Sequence, residues 1–311
     1  MARSTERRAG HKPNPNPVHS VPRTVGDAVR LGTRQFEAAR LVFGHGTTNA
    51  FDEAAYLTLH ALGLPPDELE PYLDTQLDLR QTGKILRLFQ RRIRERKPAA
   101  YLTREAWLGN FRFYVDERVI VPRSFIAELL RDDLAPWIAE PGKIGSALDL
   151  CTGSGCLAVL LAHSFPRAKI DAADIAGDAL RVARRNVADY RLGSRIRLIK
   201  SDLFGSLPGK RYDLIVSNPP YVRNAIMRRL PREYQREPEI ALAGGKDGLA
   251  AVRIILHLAA QHLKPGGLLV VEVGHNRRQV EKAFPRLAFT WPETSGGDDC
   301  VFLLDRDQLP R

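Results

Sequence analysis

Near the middle of the sequence stands Ala147-Leu-Asp-Leu-Cys-Thr-Gly-Ser-Gly-Cys156, a short apolar strand followed by a Gly-x-Gly turn and the start of a helix. Glycine lets a backbone turn tightly and approach a ligand where a side chain would clash. In open α/β sheets, ligands bind in the crevice beyond the carboxyl ends of the strands. The pattern therefore predicts an α/β domain whose ligand site lies at this turn.

Apolar strand patterns and helical patterns alternate on both sides of this turn. The predicted strands are residues 146–150, 170–173, 196–199, 214–217, 268–273 and 301–304. Most of them are separated by predicted helices, at residues 156–164, 177–190, 248–263 and 277–284. Such alternation is typical of a mostly parallel sheet with helices on both faces. Residues 126–311 are therefore predicted to form a doubly wound α/β domain.

Residues 24–104 have a helical pattern and predict a small N-terminal domain. Thr24 and Asp27 form a capping pair before the first predicted helix. Two further helices are predicted, over residues 49–62 and 81–96. The third helix ends in a basic run that either contacts phosphate or forms a solvated face. The run consists of Arg91, Arg92, Arg94, Arg96 and Lys97.

Residues 105–125 predict a β-hairpin linker between these two regions. Apolar and polar residues alternate from Phe111 to Val115, after a Gly109-Asn110 turn signal. Another apolar run, residues 119–121, follows before the chain enters the α/β pattern.

Composition narrows the class of protein. The net charge of +11 favours an acidic partner such as nucleic acid, with a solubilising surface as the alternative. Residues 1–23 are proline-rich and basic, which predicts a disordered arm and not a secretory signal. The longest apolar run, residues 267–273, is far shorter than the roughly 20 residues of a membrane-spanning helix. The three cysteines lack disulfide or metal-ligand spacing, so we expect a reducing cytoplasm and no metal site.

Acidic residues at three strand ends favour a particular cofactor. Asp149 precedes the glycines, where it would repel a dinucleotide pyrophosphate but attract the ammonium group of S-adenosylmethionine. Asp174 is placed to bind ribose hydroxyls, and Asp202 an adenine amino group, with Leu203 and Phe204 beside the ring. An NAD site would use similar geometry, but the third glycine of its fingerprint is missing. The predicted cofactor-binding residues are Asp149, Cys151, Thr152, Gly153, Ser154, Gly155, Asp174, Asp202, Leu203 and Asn218.

The fourth predicted strand ends at Asn218-Pro219-Pro220-Tyr221, which we name the tetrapeptide. An amide nitrogen is a poor nucleophile because its lone pair is delocalised into the carbonyl. Acceptors that hold both N–H bonds, here the Asn218 side-chain oxygen and the Pro219 carbonyl, favour a more pyramidal nitrogen. The prolines stiffen the loop and pre-aim these acceptors. Tyr221 is expected to pack against the flat substrate group, so all four residues form the predicted catalytic set.

The sequence resembles the HemK-type protein-glutamine methyltransferases over nearly its whole length from Thr24. The tetrapeptide behind a cofactor loop is typical of enzymes that methylate amide or exocyclic amino nitrogens, and residues 236–249 are similar to a HemK-type segment. The resemblance implies a Rossmann-like class I methyltransferase fold, S-adenosylmethionine as cofactor, and transfer to the N5 nitrogen of a glutamine. No general base is predicted.

Two bacterial branches of that family differ in substrate, one modifying peptide release factors and the other large-subunit ribosomal protein L-three. The segments similar to the second branch are residues 43–47, 99–103, 113–118 and 230–234. Residues 121–128 depart from the Ile-Pro-Arg-Pro-Glu-Thr-Glu motif of the first branch. The resemblance therefore implies L-three as the substrate, recognised by residues 24–104. The alternatives are a release-factor enzyme, a DNA adenine-N6 methyltransferase, a non-catalytic RNA-binding or assembly factor, and an NAD dehydrogenase.

Charge suggests how such a substrate is presented. A basic enzyme and a basic ribosomal protein repel each other, so we expect the substrate to be bound already to ribosomal RNA in an assembly intermediate. Arginines of the third helix and of the segment after the tetrapeptide would then contact phosphates. The latter are Arg223, Arg228, Arg229, Arg232 and Arg236.

Overall fold

The computed structural model describes residues 21–310, and the first part of this range is helical. The predicted basic arm therefore lies almost entirely outside the described residues. The N-terminal helices are α1 Val25–Ala38, α2 Ala50–Leu62, α3 Leu79–Glu95 and α4 Ala99–Thr103. The three helices predicted here are confirmed, and the short α4 is an addition.

Capping residues set the limits of these helices. The Thr24 hydroxyl accepts a hydrogen bond from the Asp27 amide, and the Asp27 carboxylate accepts one from the Thr24 amide. Helix α2 ends at Gly63, whose φ of 71° is the left-handed conformation that commonly follows a helix. Phe36 of α1 and Phe89 of α3 meet edge to face in the shared core, with ring centroids 5.2 Å apart.

The hairpin that follows consists of β1 Glu105–Leu108 and β2 Phe111–Tyr114, paired antiparallel around the predicted turn. The next apolar run, residues 119–121, is not a strand. Its backbone is held by side chains instead, because Tyr101 Oη donates to the Val119 carbonyl and the Glu237 carboxylate accepts from the Val121 amide. Residues 119–121 therefore lie outside the sheet, where this segment lines the site described below.

The rest of the chain forms a six-stranded sheet with the order β5-β4-β3-β6-β7-β8. Its strands are β3 Ser146–Leu150, β4 Lys169–Asp174, β5 Ile196–Lys200, β6 Tyr212–Ser217, β7 Leu263–Glu272 and β8 Val301–Asp305. All pair in parallel except β8, which is antiparallel to β7. The helices are α5 Ile126–Arg131, α6 Cys156–Ser164, α7 Gly177–Asp189, α8 Asn224–Met227, α9 Ala250–His262 and α10 Arg277–Ala283. The predicted doubly wound, mostly parallel sheet is confirmed.

Helices on the two faces of the sheet bury separate apolar cores. Helices α5, α6 and α7 pack on one face, and α9 and α10 on the other. Strand order reverses at β3, whose neighbours are β4 and β6, and a crevice opens at the carboxyl ends of strands at such a point. Among residues 21–310, no helix is long and apolar enough to cross a membrane.

A buried ion-pair network joins the N-terminal helices to the segment after α8. Arg92 of α3 is fully buried; its Nε lies 2.6 Å from Glu53 Oε1 and its Nη1 lies 3.4 Å from Glu233 Oε1. Arg96 Nε lies 2.9 Å from the same Glu233 oxygen. The prediction of an arginine face on α3, solvated or phosphate-binding, is therefore wrong for Arg92 and largely so for Arg96. Their charges are already neutralised inside the protein.

Candidate active site

A cavity of about 300 Å³ lies beyond the carboxyl ends of β3, β4 and β6. The glycine loop after β3, the acids after β4 and β5, and the tetrapeptide after β6 all reach it. Of the predicted residues, those that line the cavity are Cys151, Thr152, Gly153, Ser154, Asp174, Asp202, Leu203, Asn218 and Pro220. Most of the predicted cofactor and catalytic residues therefore meet at one place, and the predicted residues that do not line the cavity are Asp149, Gly155, Pro219 and Tyr221.

The glycine loop needs left-handed backbone at three positions. Cys151, Gly153 and Gly155 have φ values of 64°, 56° and 79°. Gly153 lines the cavity, and a Cβ built on it would meet no protein atom within 4 Å, so its backbone is open to a ligand. Gly155 has another function: a Cβ there would lie 3.1 Å from Ala183 Cβ, so glycine allows α6 and α7 to pack closely.

Asp149 lies beneath the loop and does not line the cavity. Its Oδ2 accepts hydrogen bonds from Thr152 Oγ1, at 2.5 Å, and from the Ala158 amide, at 2.9 Å. Its Oδ1 is buried and has no hydrogen-bond partner among residues 21–310. Burial raises the pKa of Asp149 to about 7. The carboxylate thus organises the loop and keeps one oxygen available for a further donor.

The acids after the next two strands differ in their surroundings. Both oxygens of Asp174 accept backbone hydrogen bonds at 2.8 Å, Oδ2 from Gly153 and Oδ1 from Ala176. Burial raises the pKa of Asp174, and those two amides oppose the shift. Asp202 is exposed at the cavity edge. Asp174 therefore fixes the glycine loop while it faces the cavity.

Phe204 does not lie where it was predicted. Its ring is buried and stacks on His262 of α9, with ring centroids 4.4 Å apart and an interplanar angle of 9°. The prediction that Phe204 packs beside an adenine ring is therefore wrong, because a partner distant in sequence draws it into the core. Apolar residues that do line the cavity include Leu203, as predicted, and Ile175 and Ile254.

The tetrapeptide places Asn218 and Pro220 at the cavity wall, whereas Pro219 is buried and, like Tyr221, does not line the cavity. Asn218 is half-buried at the cavity wall, and neither its side chain nor the Pro219 carbonyl hydrogen-bonds within residues 21–310. The Tyr221 ring lies against Gly274, where a Cβ would come within 2.7 Å of it, and its hydroxyl is 3.3 Å from Glu272 Oε1. Tyr221 does not line the cavity, so its ring supports the loop in this structure.

Sequence reasoning missed the segment 118–124, which forms another wall of the cavity. Arg123 makes a bidentate ion pair with Glu237, with N–O distances of 2.5 and 2.6 Å. Burial alone would raise the pKa of Glu237, but Arg123 and His45 lower it to about 2. Glu272 is also buried and accepts hydrogen bonds from Ser124 Oγ and the Phe125 amide. No local signal reveals these contacts, because Glu237 lies 114 residues from Arg123 and Glu272 lies 148 residues from Ser124.

Comparison with known proteins agrees with this geometry. Residues 129–230 match the family model described as "Methyltransferase small domain". The chain is 58% identical over 286 residues to a ribosomal protein uL3 glutamine methyltransferase of Neisseria meningitidis, covering 92% of this chain and 94% of that protein. A protein of the same name from Burkholderia pseudomallei is 52% identical over 295 residues, covering 93% and 96%. The chain belongs to this family. The protein is accordingly a methyltransferase, and the predicted resemblance to the ribosomal-protein branch is confirmed.

Proposed function

We propose that this methyltransferase transfers a methyl group from S-adenosylmethionine to the N5 nitrogen of a glutamine side chain in ribosomal protein uL3, the L-three protein named above. The observation that carries the proposal is the pair of unengaged acceptors at Asn218 and Pro219, next to an open glycine loop. The substrate assignment rests on the name of the relatives. A ribosomal substrate also implies a cytoplasmic reaction.

The residues present fit S-adenosylmethionine, which supplies a methyl group bonded to a positively charged sulfur. Gly153 leaves room for close approach, and Asp174 retains acceptor capacity for ribose hydroxyls. The Oδ1 atom of Asp149 has no hydrogen-bond partner among residues 21–310. It can therefore accept a hydrogen bond from the ammonium group of the cofactor, either directly across the glycine loop or through a bridging water. Asp202 and Leu203 at the cavity edge would hold the adenine.

The tetrapeptide would position the substrate amide. Asn218 Oδ1 and the Pro219 carbonyl accept the two N–H bonds, which favours a pyramidal nitrogen with its lone pair directed at the methyl group. Pro219 is buried and Tyr221 is held by Gly274 and Glu272, so the backbone that carries the acceptors is held before the substrate binds. The methylated nitrogen is acidic, and its proton leaves to water.

Replacing Asp174 by alanine is expected to raise the dissociation constant for S-adenosylmethionine by about tenfold or more, since a hydrogen bond to a charged group contributes roughly 1.5–3 kcal/mol. The loss of the Gly153 contact adds to the effect. Isothermal titration calorimetry measures it. Asp178→Ala, an exposed acid in the first turn of α7, is the matched control and should bind normally. Unchanged affinity in a folded Asp174→Ala variant would remove Asp174 from the cofactor site.

Cofactor affinity is also expected to depend on pH through Asp149. Its pKa of about 7 means that the carboxyl becomes protonated as the pH falls from 7 to 6, and the attraction for an ammonium group is then lost. Because one pKa unit corresponds to about 1.4 kcal/mol, the dissociation constant at pH 6 should be up to about tenfold higher than at pH 8. Asp149→Asn should abolish that dependence. A wild-type profile that is flat over this range would contradict the contact.

The substrate is identified by labelling. The full chain is incubated with radiolabelled cofactor and separately with purified uL3, peptide release factor and DNA, and the labelled peptide is mapped by mass spectrometry. The proposal expects one methylated glutamine in uL3. Label in the release factor favours the first alternative, and label in adenine favours the DNA enzyme. Cofactor binding without transfer to any of them would contradict the substrate assignment alone.

We also propose that residues 24–104 recognise the substrate and that basic residues contact ribosomal RNA. Substrate recognition by residues 24–104 rests on the family resemblance. The RNA contact is supported by a group of exposed arginines in residues 223–236, none of them ion-paired within the part of the chain that the structure describes. These are Arg223, Arg228, Arg229, Arg232 and Arg236. They directly follow the tetrapeptide, so RNA bound to them would lie beside the substrate amide.

Methylation of an RNA-bound assembly intermediate is expected to exceed that of free uL3, and to weaken steeply between about 50 and 200 mM salt as condensed counterions compete. Arg228→Ser and Arg229→Ser together should flatten the salt dependence. Arg286→Ser, outside this segment, serves as the control. Equal methylation of both substrates at all salt concentrations would leave the arginines as solubilising surface.

A further inference from the structure

A second cluster of ligating side chains lies behind the tetrapeptide, outside the cavity lining. His275 follows the end of β7, and Asp299 and Cys300 directly precede β8. His275 Nδ1 lies 3.0 Å from Asp299 Oδ1, and Cys300 Sγ lies 3.4 Å from the same oxygen and 3.7 Å from the same nitrogen. Three donor atoms of different kinds thus form a compact triangle on two adjacent loops.

The dimensions of this triangle are close to those of a zinc coordination shell. Bonds of about 2.0–2.3 Å at tetrahedral angles place neighbouring donor atoms about 3.4–3.6 Å apart. The two separations from the sulfur, 3.4 and 3.7 Å, are near this range, and the imidazole would move a few tenths of an ångström from Asp299 to reach it. A thiolate and a carboxylate together carry two negative charges, which one divalent cation neutralises. Imidazole and thiolate are ligands that zinc takes, whereas magnesium and calcium prefer oxygen.

We infer that His275, Asp299 and Cys300 bind one Zn²⁺, with a fourth position open to solvent. The Cys300 side chain is buried, whereas the His275 and Asp299 side chains are 73% and 36% exposed, so an ion can enter from the imidazole side. The thiol proton leaves to solvent as the zinc–sulfur bond forms. The spacing of these residues, two adjacent and one 25 positions earlier, resembles no common zinc motif, which explains the earlier prediction of no metal site.

The position of the cluster connects it to the tetrapeptide. Gly274, next to His275, lies against the Tyr221 ring, and Asn276 Nδ2 donates to the Tyr221 carbonyl at 3.0 Å. The same Asn276 amide donates to the Val273 carbonyl at 2.9 Å. A bound zinc ion would therefore fasten the turn of residues 273–276 to the start of β8, directly beneath the loop that carries the substrate acceptors.

Cobalt substitution tests the site in the full chain, prepared without a purification tag, under a non-chelating reductant and free of metal. Co²⁺ bound through Cys300 should produce a sulfur-to-cobalt charge-transfer band at one equivalent, which Zn²⁺ then displaces. His275→Gln and Cys300→Ser should weaken zinc binding by at least about tenfold, the lower bound seen even for outer partners of metal sites. His257→Gln, which removes an exposed histidine of α9, should leave it unchanged.

The outcomes separate clearly. Loss of the band in Cys300→Ser and zinc binding at least about tenfold weaker in His275→Gln, with wild-type behaviour in His257→Gln, support the site. Absence of the band in the wild type, or wild-type zinc affinity in either variant, overturns it. Circular dichroism and cofactor titration verify that each variant folds, and His275→Gln alters a surface residue, so its result stands even if the buried Cys300→Ser variant misfolds.

Discussion

Replacing Asn218 by alanine is expected to lower turnover by about 10²–10³-fold, the cost of losing one preorganised polar contact to the reacting group. The variant leaves the substrate amide with only the Pro219 carbonyl to hold its N–H bonds, so the nitrogen lone pair stays conjugated. The cofactor dissociation constant should change much less than turnover, because the glycine loop and Asp174 are untouched. Single-turnover methylation with labelled cofactor measures the chemical step, and calorimetry measures cofactor binding.

Asn224→Ala is the matched control for this prediction. Asn224 begins α8, six residues further along the chain, and its side chain is exposed. Its turnover should equal that of the wild type. If the Asn218→Ala variant loses less than about fivefold, which is under about 1 kcal/mol of barrier, the tetrapeptide has a structural function and the proposed mechanism is wrong.

Replacing Arg92 by methionine is expected to lower the free energy of unfolding by about 3–5 kcal/mol, the cost of removing one partner from a buried ion pair. Glu53 and Glu233 are both buried, and Arg92 is the cation that contacts both of them. Burial already raises the pKa of Glu53 despite the opposing effect of Arg92. Urea denaturation followed by circular dichroism measures the change.

Arg91→Met on the same helix controls for the loss of an arginine. Arg91 is exposed and, among residues 21–310, pairs only with Glu95, one turn later, so the expected loss is about 0.3–0.5 kcal/mol. A second substitution, Glu53→Gln, should restore part of the stability of the Arg92→Met variant, because Glu53 loses its cationic partner whereas Glu233 keeps Arg96. Equal stability losses in the Arg91 and Arg92 variants would contradict the network.

Sequence predicted the parts of the molecule that depend on local pattern. The strand, turn and helix around Gly153 follow from glycine placement and apolar runs, and helix α6 has the predicted limits of residues 156–164. The meeting of Asp174, Asp202 and Asn218 follows because parallel strands end at one edge of a sheet. These features need no knowledge of distant contacts.

The errors arose where a distant partner determines a side chain's environment. In the sequence, Arg92 is one of several arginines on a basic helix face. Its charge can be buried because it pairs with Glu233, which lies 141 residues away in sequence. Phe204 follows an acid at a strand end, yet His262 of α9 stacks on it. The segment 118–124 has no motif, and Glu237 brings it to the cavity through Arg123.

The contact between the loop of residues 43–47 and residues 233–237 affects any attempt to change the substrate of the enzyme. His45 packs on Tyr234, with ring centroids 4.2 Å apart, and its Nε2 lies 3.6 Å from Glu237 Oε2. A side chain at position 44 would clash with the Tyr234 hydroxyl, so this position requires glycine. A chimera that exchanged only the N-terminal helices for those of a relative would therefore disrupt the contacts between residues 43–47 and residues 233–237. To change the substrate of the enzyme, residues 43–47 and 233–237 should be exchanged together. The contact between Glu237 and Arg123 at the cavity wall is then preserved.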